Sequence, residues 1–458
     1  MRPRAHFPRL RAFARAVILP ALAASVLVPA APRPAHAQQQ VSGFERDRWK
    51  DALGLIKDDI RKNYYDPTYR GIDLEAHFKK AEEKMKQAQS LGQLFGIIAQ
   101  ALLDFDDSHL FFVPPNRASR FDYGWRTQMI GDRCFVTAVK PGSDAEAKGL
   151  KPGDEILELD GYRMDRRNHW KMQYAYYSLR PVPGVRLAVA GPDGRQRQLD
   201  VLTKVTQRKR VLDLTGATSS IDLNDFIRDM DDDERERREA SRGLSLGENQ
   251  LMVWKFEEFA HTESEIDAVM AKARKHKGLV IDLRGNGGGA ERTMLRMIGN
   301  LFDRDVNVGE IKRRKETKPL VAKTRGGDNV YKGDLVVLVD SGSGSASELF
   351  ARVIQLEKRG TILGDRTAGA VMRSRMHPHE SGVDVIAPYG ASITDADIVM
   401  TDGKSLEHVG VTPDKVLLPA AADLAAGRDP ALSQAATLLG FTLDPEKAGA
   451  LFPLKWKK

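Results

Sequence analysis

The chain has 458 residues, enough for two to four domains with sizeable cores. Its formal net charge of +8 sits largely at the start: six arginines and no acids fall within residues 1–37, so 8 − 6 leaves +2 for the rest. That balance gives no footing for a nucleic-acid-binding face, and a lone cysteine, Cys134, excludes an intrachain disulfide framework. Arg2, Arg4, Arg9, Arg11 and Arg15 precede the apolar run Ala16–Ala31, and Ala35-His36-Ala37 is a small-x-small cleavage pattern. Residues 1–37 therefore read as a secretory signal peptide cut after Ala37, and the protein as exported, periplasmic or extracellular. The run is short and broken by prolines, and no later segment is apolar enough to span a bilayer. The mature chain is expected to carry no integral membrane span.

Beyond the cleavage site, Trp49, Leu53, Ile56 and Ile60 recur at helical spacing, and the helix they mark ends near Asp66-Pro67. A charged helix over 74–89 and an apolar one over 91–103 follow. They lead into Asp104-Phe105-Asp106-Asp107-Ser108-His109, so a small helical unit ends in a loop that carries Ser108 and His109. Residues 121–206 alternate apolar and polar in the manner of strands, and Cys134 lies in one of these runs as a small core residue. The run 228–242 is dense in both charge signs without apolar periodicity, which reads as a solvated loop. Strands at 251–256 and 279–283 alternate with a helix marked by Ile266, Val269, Met270 and Ala273. Such alternation implies βαβ units around a largely parallel sheet.

Two segments carry chemistry. In 334–348 a β-branched run stops at Asp340, small residues turn, and Leu349, Phe350, Val353 and Ile354 begin a helix. A serine at such a strand–turn–helix junction stands beside the unpaired N–H groups of a helix start, as acyl transfer requires. A serine-rich turn that merely caps a helix is the plain alternative. Residues 278–290 form a buried strand that ends in Gly285-Asn286-Gly287-Gly288-Gly289. No Cys/His cluster has zinc spacing, His377 and His379 have no third ligand nearby and read as loop residues, and no phosphate-binding loop is present. No metal and no cofactor are called for.

With these two turns, Gly364-Asp365-Arg366-Thr367-Ala368-Gly369, Asp402-Gly403-Lys404-Ser405-Leu406-Glu407 and Gly410-Val411-Thr412-Pro413-Asp414 follow in order, and the sequence resembles the C-terminal processing (tail-specific) and tricorn-type serine proteases. The segment from Gly142 through Gly149-Leu150-Lys151-Pro152-Gly153-Asp154 to Asp160-Gly161 resembles a PDZ domain, with Tyr123, Gly124 and Trp125 in the place of the peptide-carboxylate loop. The resemblance implies an α/β fold: a ClpP/crotonase-like βαβ catalytic core with an N-terminal helical domain and an inserted PDZ domain. The expected divisions are signal peptide 1–37, helical domain 38–118, PDZ domain 119–206, catalytic domain 207–423 and C-terminal helical tail 424–458.

It further implies Ser345 as nucleophile, with an oxyanion hole from Ala346 and the Gly287, Gly288 and Gly289 stretch. In the tail-specific branch a lysine follows the nucleophile by 25 residues, where this chain has Ala370, and Lys358 lies in the wrong place to replace it. In the tricorn-like branch a Ser-His pair precedes the PDZ domain and a Glu follows the nucleophile; Ser108, His109 and Glu407 occupy those places, with His408 as a competing base. The expected partner is a polypeptide substrate, unfolded or at its C-terminal segment, and no nucleic acid. A catalytically silent PDZ scaffold that binds peptide C-termini is the other reading, kept open by the missing lysine.

Overall fold

Ser42 opens the first helix, α1 (Gly43–Asn63): its hydroxyl accepts from Glu45 N, and Glu45 reaches back to Ser42 N. The helix belongs to a computed structural model that describes residues 41–115, 119–207, 241–381 and 387–456. The expected signal peptide and nearly all of the charged run 228–242 lie outside the described residues. Trp49, Leu53, Ile56 and Ile60 form the buried face of α1, as their spacing requires, against α2 (Leu74–Lys86) and α3 (Leu91–Leu103). The same core takes in Tyr389, Ala391 and Ile393 from a strand nearly 300 residues later. The short strand β1 (Phe111–Val113) hydrogen-bonds to that strand. The helical unit is thus stitched to the catalytic part on both sides of the Ser108–His109 loop.

The next unit opens and closes on an antiparallel pair, β2 (Ser119–Asp122) with β9 (Lys204–Gln207). Between them lie β3 (Trp125–Ile130), β4 (Arg133–Val139), the short helix α4 (Asp144–Ala147), β5 (Glu155–Leu159), β6 (Tyr162–Arg163), α5 (His169–Gln173), β7 (Gly184–Ala190) and β8 (Gln196–Leu202). The sheet runs β3-β4-β5-β7-β8, and α5 continues into a wider helical turn over Tyr174–Leu179. Cys134 is buried in this core, where burial pushes its thiol up to about 12, so it packs and does not react.

Six strands then form the main sheet, in the order β10 (Arg242–Leu246), β11 (Leu251–Lys255), β12 (Gly278–Asp282), β15 (Asp334–Val339), β16 (Thr361–Gly364), β19 (Lys415–Val416). Only the β10–β11 pairing is antiparallel. Met252, Trp254, Leu279, Ile281, Val337 and Val339 face the helices α6 (Glu263–Ala273), α7 (Glu291–Gly299) and α8 (Ala346–Leu356). Their alternates Leu251, Val253, Val280, Val336 and Leu338 face Leu432, Ala435 and Ala436. Coverage on both faces explains why these strands read as continuous apolar runs. A second, antiparallel sheet holds β13 (Val306–Lys312), β14 (Thr317–Ala322), β17 (Arg373–Ser381) and the long β18 (Ala387–Met400), together with β1. The chain closes with α9 (Ala421–Ala425), α10 (Pro430–Leu438) and α11 (Pro445–Ala450).

One ion cluster fastens α10 to the end of β12. Arg284 donates from Nε and Nη2 to Asp282 at 2.8 and 2.7 Å, and from Nη1 and Nη2 to Asp429 at 2.9 and 2.7 Å. Asp429 also caps α10 by accepting from Leu432 N. Burial alone would raise both carboxyls, but Arg284 outweighs it and holds them below the usual range. Removing one partner of so buried a set costs roughly 3–5 kcal/mol. Asp429→Ala should therefore lower stability by about that much in denaturant unfolding, and Asp429→Asn, which keeps the cap, by less.

Candidate active site

The turn after β15 is built before it is reactive. Asp340 accepts from Gly285 N and Gly342 N at 2.9 Å, and from Gln128 Nε2 of the PDZ unit at 2.7 Å. Ser343 Oγ donates to Leu283 O at 2.7 Å and Ser347 Oγ to Asn286 O at 2.9 Å. Both flanking serines are fully buried and occupied. Ser345, between them, has φ 51° and ψ −118°. A non-glycine residue in that region costs on the order of 1–3 kcal/mol and persists only where its surroundings impose it.

The imposing group is Glu348. Its carboxylate is fully buried and accepts from Thr367 Oγ1 at 2.5 Å, Gly369 N at 2.7 Å, Ala370 N at 2.8 Å and Ser345 N at 3.1 Å. Ser345 N also donates to Ala370 O at 2.7 Å. Burial raises the Glu348 carboxyl to about 7 against the pull of these donors. Residue 370, where the tail-specific branch has its lysine, thus touches the Ser345 turn through its backbone. In the sequence Glu348 shows only as a helix N3 acid.

The glycine turn lies against Ser345. Gly288 has φ 110°, and a Cβ there would stand 2.6 Å from Ser345 Cβ, closer than any side chain tolerates. Its N–H is already given to Asn286 Oδ1 at 2.9 Å. Of the three glycines expected at the oxyanion hole, Gly288 therefore has no donor to spare. The N–H groups of Gly287 and of Ala346, the first residue of α8, have no acceptor among the described residues. The bridge between Gly289 and Phe259 uses Gly288 O and Ala290 N, so the Gly289 N–H likewise has no acceptor among the described residues.

The helical unit delivers His109. Asp107, buried, accepts from Tyr64 Oη at 2.9 Å, Thr394 Oγ1 at 2.7 Å and His109 N at 2.9 Å, which sets the loop. Ser108 Oγ lies 2.8 Å from His109 Nδ1 and donates to Glu407 Oε2 at 2.8 Å; Ser108 N donates to Glu407 Oε1 at 2.9 Å. Val371 N donates to Glu407 Oε2 at 3.1 Å. Burial lowers the His109 imidazole below its ordinary value and raises the Glu407 carboxyl. His109, Ser345, Ala346, Gly287 and Gly289 line one cleft of about 370 Å³, with Met294, Val371 and Ile398 as apolar wall. Ser345 Oγ has no hydrogen-bond partner among the described residues and is open to a substrate.

Other candidates lie elsewhere. His408 is half-exposed with Nε2 2.8 Å from Asp106 O, outside the cleft. Lys358 sits past the far end of α8. His377 and His379 are on β17, not in a loop as the sequence led one to expect, and His379 Nε2 meets Asp59 at 2.6 Å. No group of three metal-ligating side chains occurs among the described residues. Tyr123 and Trp125 are buried rings that form one wall of a separate groove of about 720 Å³ beside α5. Gly124 gives its N–H to Asp122 and lies outside the groove lining. No helix among the described residues is long and apolar enough to cross a membrane.

Comparison with known proteins agrees with this architecture. Residues 250–417 match peptidase family S41, and residues 116–176 match the PDZ domain. A chloroplastic C-terminal processing peptidase of Tetradesmus obliquus is 24% identical over 385 residues, 79% of this chain and 75% of its own length. A carboxy-terminal processing protease of Bacillus subtilis is 22% identical over 336 residues, 71% of this chain and 64% of its own. The putative tricorn protease homolog 2 of Streptomyces coelicolor is 23% identical over 415 residues, 85% of this chain but 32% of its own length. The structure of mature CPAF superposes with a TM-score of 0.60 at 15% identity, covering 83% of this chain and 94% of that one, which establishes a shared fold. Fold and matches together define a serine peptidase with a PDZ domain. Residues 250–417 carry the peptidase family S41 match, and the chain is similar to carboxyl-terminal processing and tail-specific proteases.

The contact between Gly288 and Ser345 makes a test of the site. Gly288→Ala must displace the Ser345 side chain or its turn. Since a shift near 1 Å can cost about a hundredfold in rate, kcat on a fluorogenic peptide should fall by that order.

Proposed function

We propose that this S41 peptidase is an exported endopeptidase of the tricorn-like branch, hydrolysing peptide bonds in unfolded or C-terminal segments through an acyl-enzyme at Ser345. The observation that carries the reading is the chain Glu407–Ser108–His109, which runs into the cleft that holds Ser345. With Nδ1–H given to Ser108 Oγ and the Ser108 hydroxyl given to Glu407, the neutral imidazole keeps a lone pair on Nε2 for the cleft. Ser345 Oγ attacks the scissile carbonyl carbon while its proton passes to His109 Nε2. The oxyanion is held by the N–H groups of Ala346 and Gly287, Gly288 serving only to let the turns approach. The C–N bond breaks, His109 protonates the departing amine, and water, deprotonated by the same nitrogen, frees the acid. The PDZ unit, through the groove bounded by Tyr123 and Trp125, gathers a peptide end by strand addition. The leader 1–37 supports export by its composition.

Ser345→Ala should abolish turnover and fluorophosphonate labelling with Tm almost unchanged, since the hydroxyl bonds nothing. Ser343→Ala should instead lose stability, because Ser343 Oγ is the acceptor of the Asp340 N–H, and Ser347→Ala because it loses the buried hydrogen bond to Asn286 O. Label on another residue, or hydrolysis by Ser345→Ala, would refute the assignment. A fully inert wild type on varied unfolded substrates would favour the silent scaffold.

The pH profile separates a histidine base from any amine. Activity needs neutral His109, and burial disfavours its protonated form, so the base survives to lower pH than a free imidazole. The acid limb of kcat/KM should fall below the ordinary 6.5. The Asp107 carboxylate pulls the other way and offsets part of the effect of burial. His109→Ala should cost about a thousandfold or more; a near-normal rate would end the scheme.

A further inference from the structure

The groove beside β3 and α5 takes part of its wall from outside the PDZ unit. Its lining includes Tyr123, Trp125, Arg126, Trp170 and Tyr177 of the PDZ unit and, from the segment after α11, Trp456. The Arg126 guanidinium lies over the Trp456 ring at 5.6 Å from its centroid, a cation–π contact. The segment is led there by an anchor on the catalytic part. Phe452 packs against the core beneath α10, Arg242 and Lys255 lie over its ring at 5.5 and 6.0 Å, and Arg242 Nη1 donates to Pro453 O at 3.3 Å. Three residues then separate Phe452 from Trp456, so the ring is tethered at short range.

We propose that Trp456 is a built-in occupant of the PDZ groove, and that a peptide binds there by displacing it. A tether of a few residues gives an effective concentration in the millimolar range. An occupant seated about 90% of the time lowers the apparent affinity of a competitor about tenfold. Charge makes it displaceable. Pro453–Trp456 carries no acid and includes Lys455, whereas the groove wall holds Arg120 and Arg126 beside a Lys140–Asp122 pair that cancels within itself. A peptide with a free carboxylate and acidic residues gains an attraction that the indole lacks. The groove therefore selects acidic peptide ends over neutral ones, because only they repay the expulsion of Trp456.

This inference rests on the peptide-binding part of the proposed function and not on the catalytic assignment, so it is tested by binding in the full chain carrying Ser345→Ala. The probe is a fluorescein-labelled acidic peptide ending in a free valine carboxylate, with its amidated form as control, read by fluorescence anisotropy. Trp456→Ala should tighten the acid form about tenfold, Trp456→Phe less, with Tm unchanged because the ring is only half-buried. Equal or weaker binding by Trp456→Ala overturns the proposal. Absence of binding by every form overturns it too and removes the peptide-receptor role of the groove. The protease reading is judged separately, by hydrolysis of a short peptide with Ser345 intact.

Discussion

A buried carboxylate that must find donors organises this molecule's reactive centre. Glu348 is wholly removed from water and is satisfied by a hydroxyl and three backbone N–H groups. One of the N–H groups belongs to Ser345, which holds that serine at a positive φ it would not adopt alone. Two others belong to Gly369 and Ala370, which draw the 367–370 turn against the start of α8. The same turn leads to Val371, whose N–H supports Glu407. Lose the carboxylate, and the turns on either side lose their reason to meet.

The second constraint is distance along the chain. Ser108 and Glu407 are 299 residues apart, yet their contact is made twice, through backbone and hydroxyl. It is possible because β1 pairs with β18 immediately after the loop and because Tyr64 and Thr394 hold Asp107 from opposite sides. The helical unit is part of the scaffold of the candidate site, and packing against β18 places the imidazole more firmly than a free loop could.

The PDZ unit is docked against the same centre. Gln128 reaches Asp340, Ser341 Oγ donates to Met129 O at 2.5 Å, and Arg166 and Gly131 N meet Asp365 at 2.5 and 2.9 Å. All but the Arg166 contact come from β3 and its turn, the strand whose earlier residues Trp125–Thr127 face the groove. One short strand thus spans from the groove to the turn that carries Ser345.

Much was legible in the residues themselves. Helical spacing from Trp49 to Ile60, the continuous apolar strands around Val280 and Val337, and the strand–turn–helix passage through Ser345 are local patterns, and they became the elements expected. Short motifs in family order were enough to bring Ser108, His109, Ser345 and Glu407 forward as a set. Other features had no local signal. Gly288 looked equivalent to its neighbours until its N–H was found committed to Asn286 and its missing Cβ to Ser345. Glu348 looked like an ordinary first-turn acid because its donors lie about twenty residues downstream. His377 and His379 looked like loop residues because Pro378 divides them, yet β18 supplies the partner that makes a strand. Sequence by itself determined which segments could form helices, strands and reactive turns, since periodicity and turn chemistry act between near neighbours. Only the tertiary structure decided which N–H groups stay free, which carboxylate is buried and where Trp456 comes to rest, since those depend on groups brought together from distant parts of the chain.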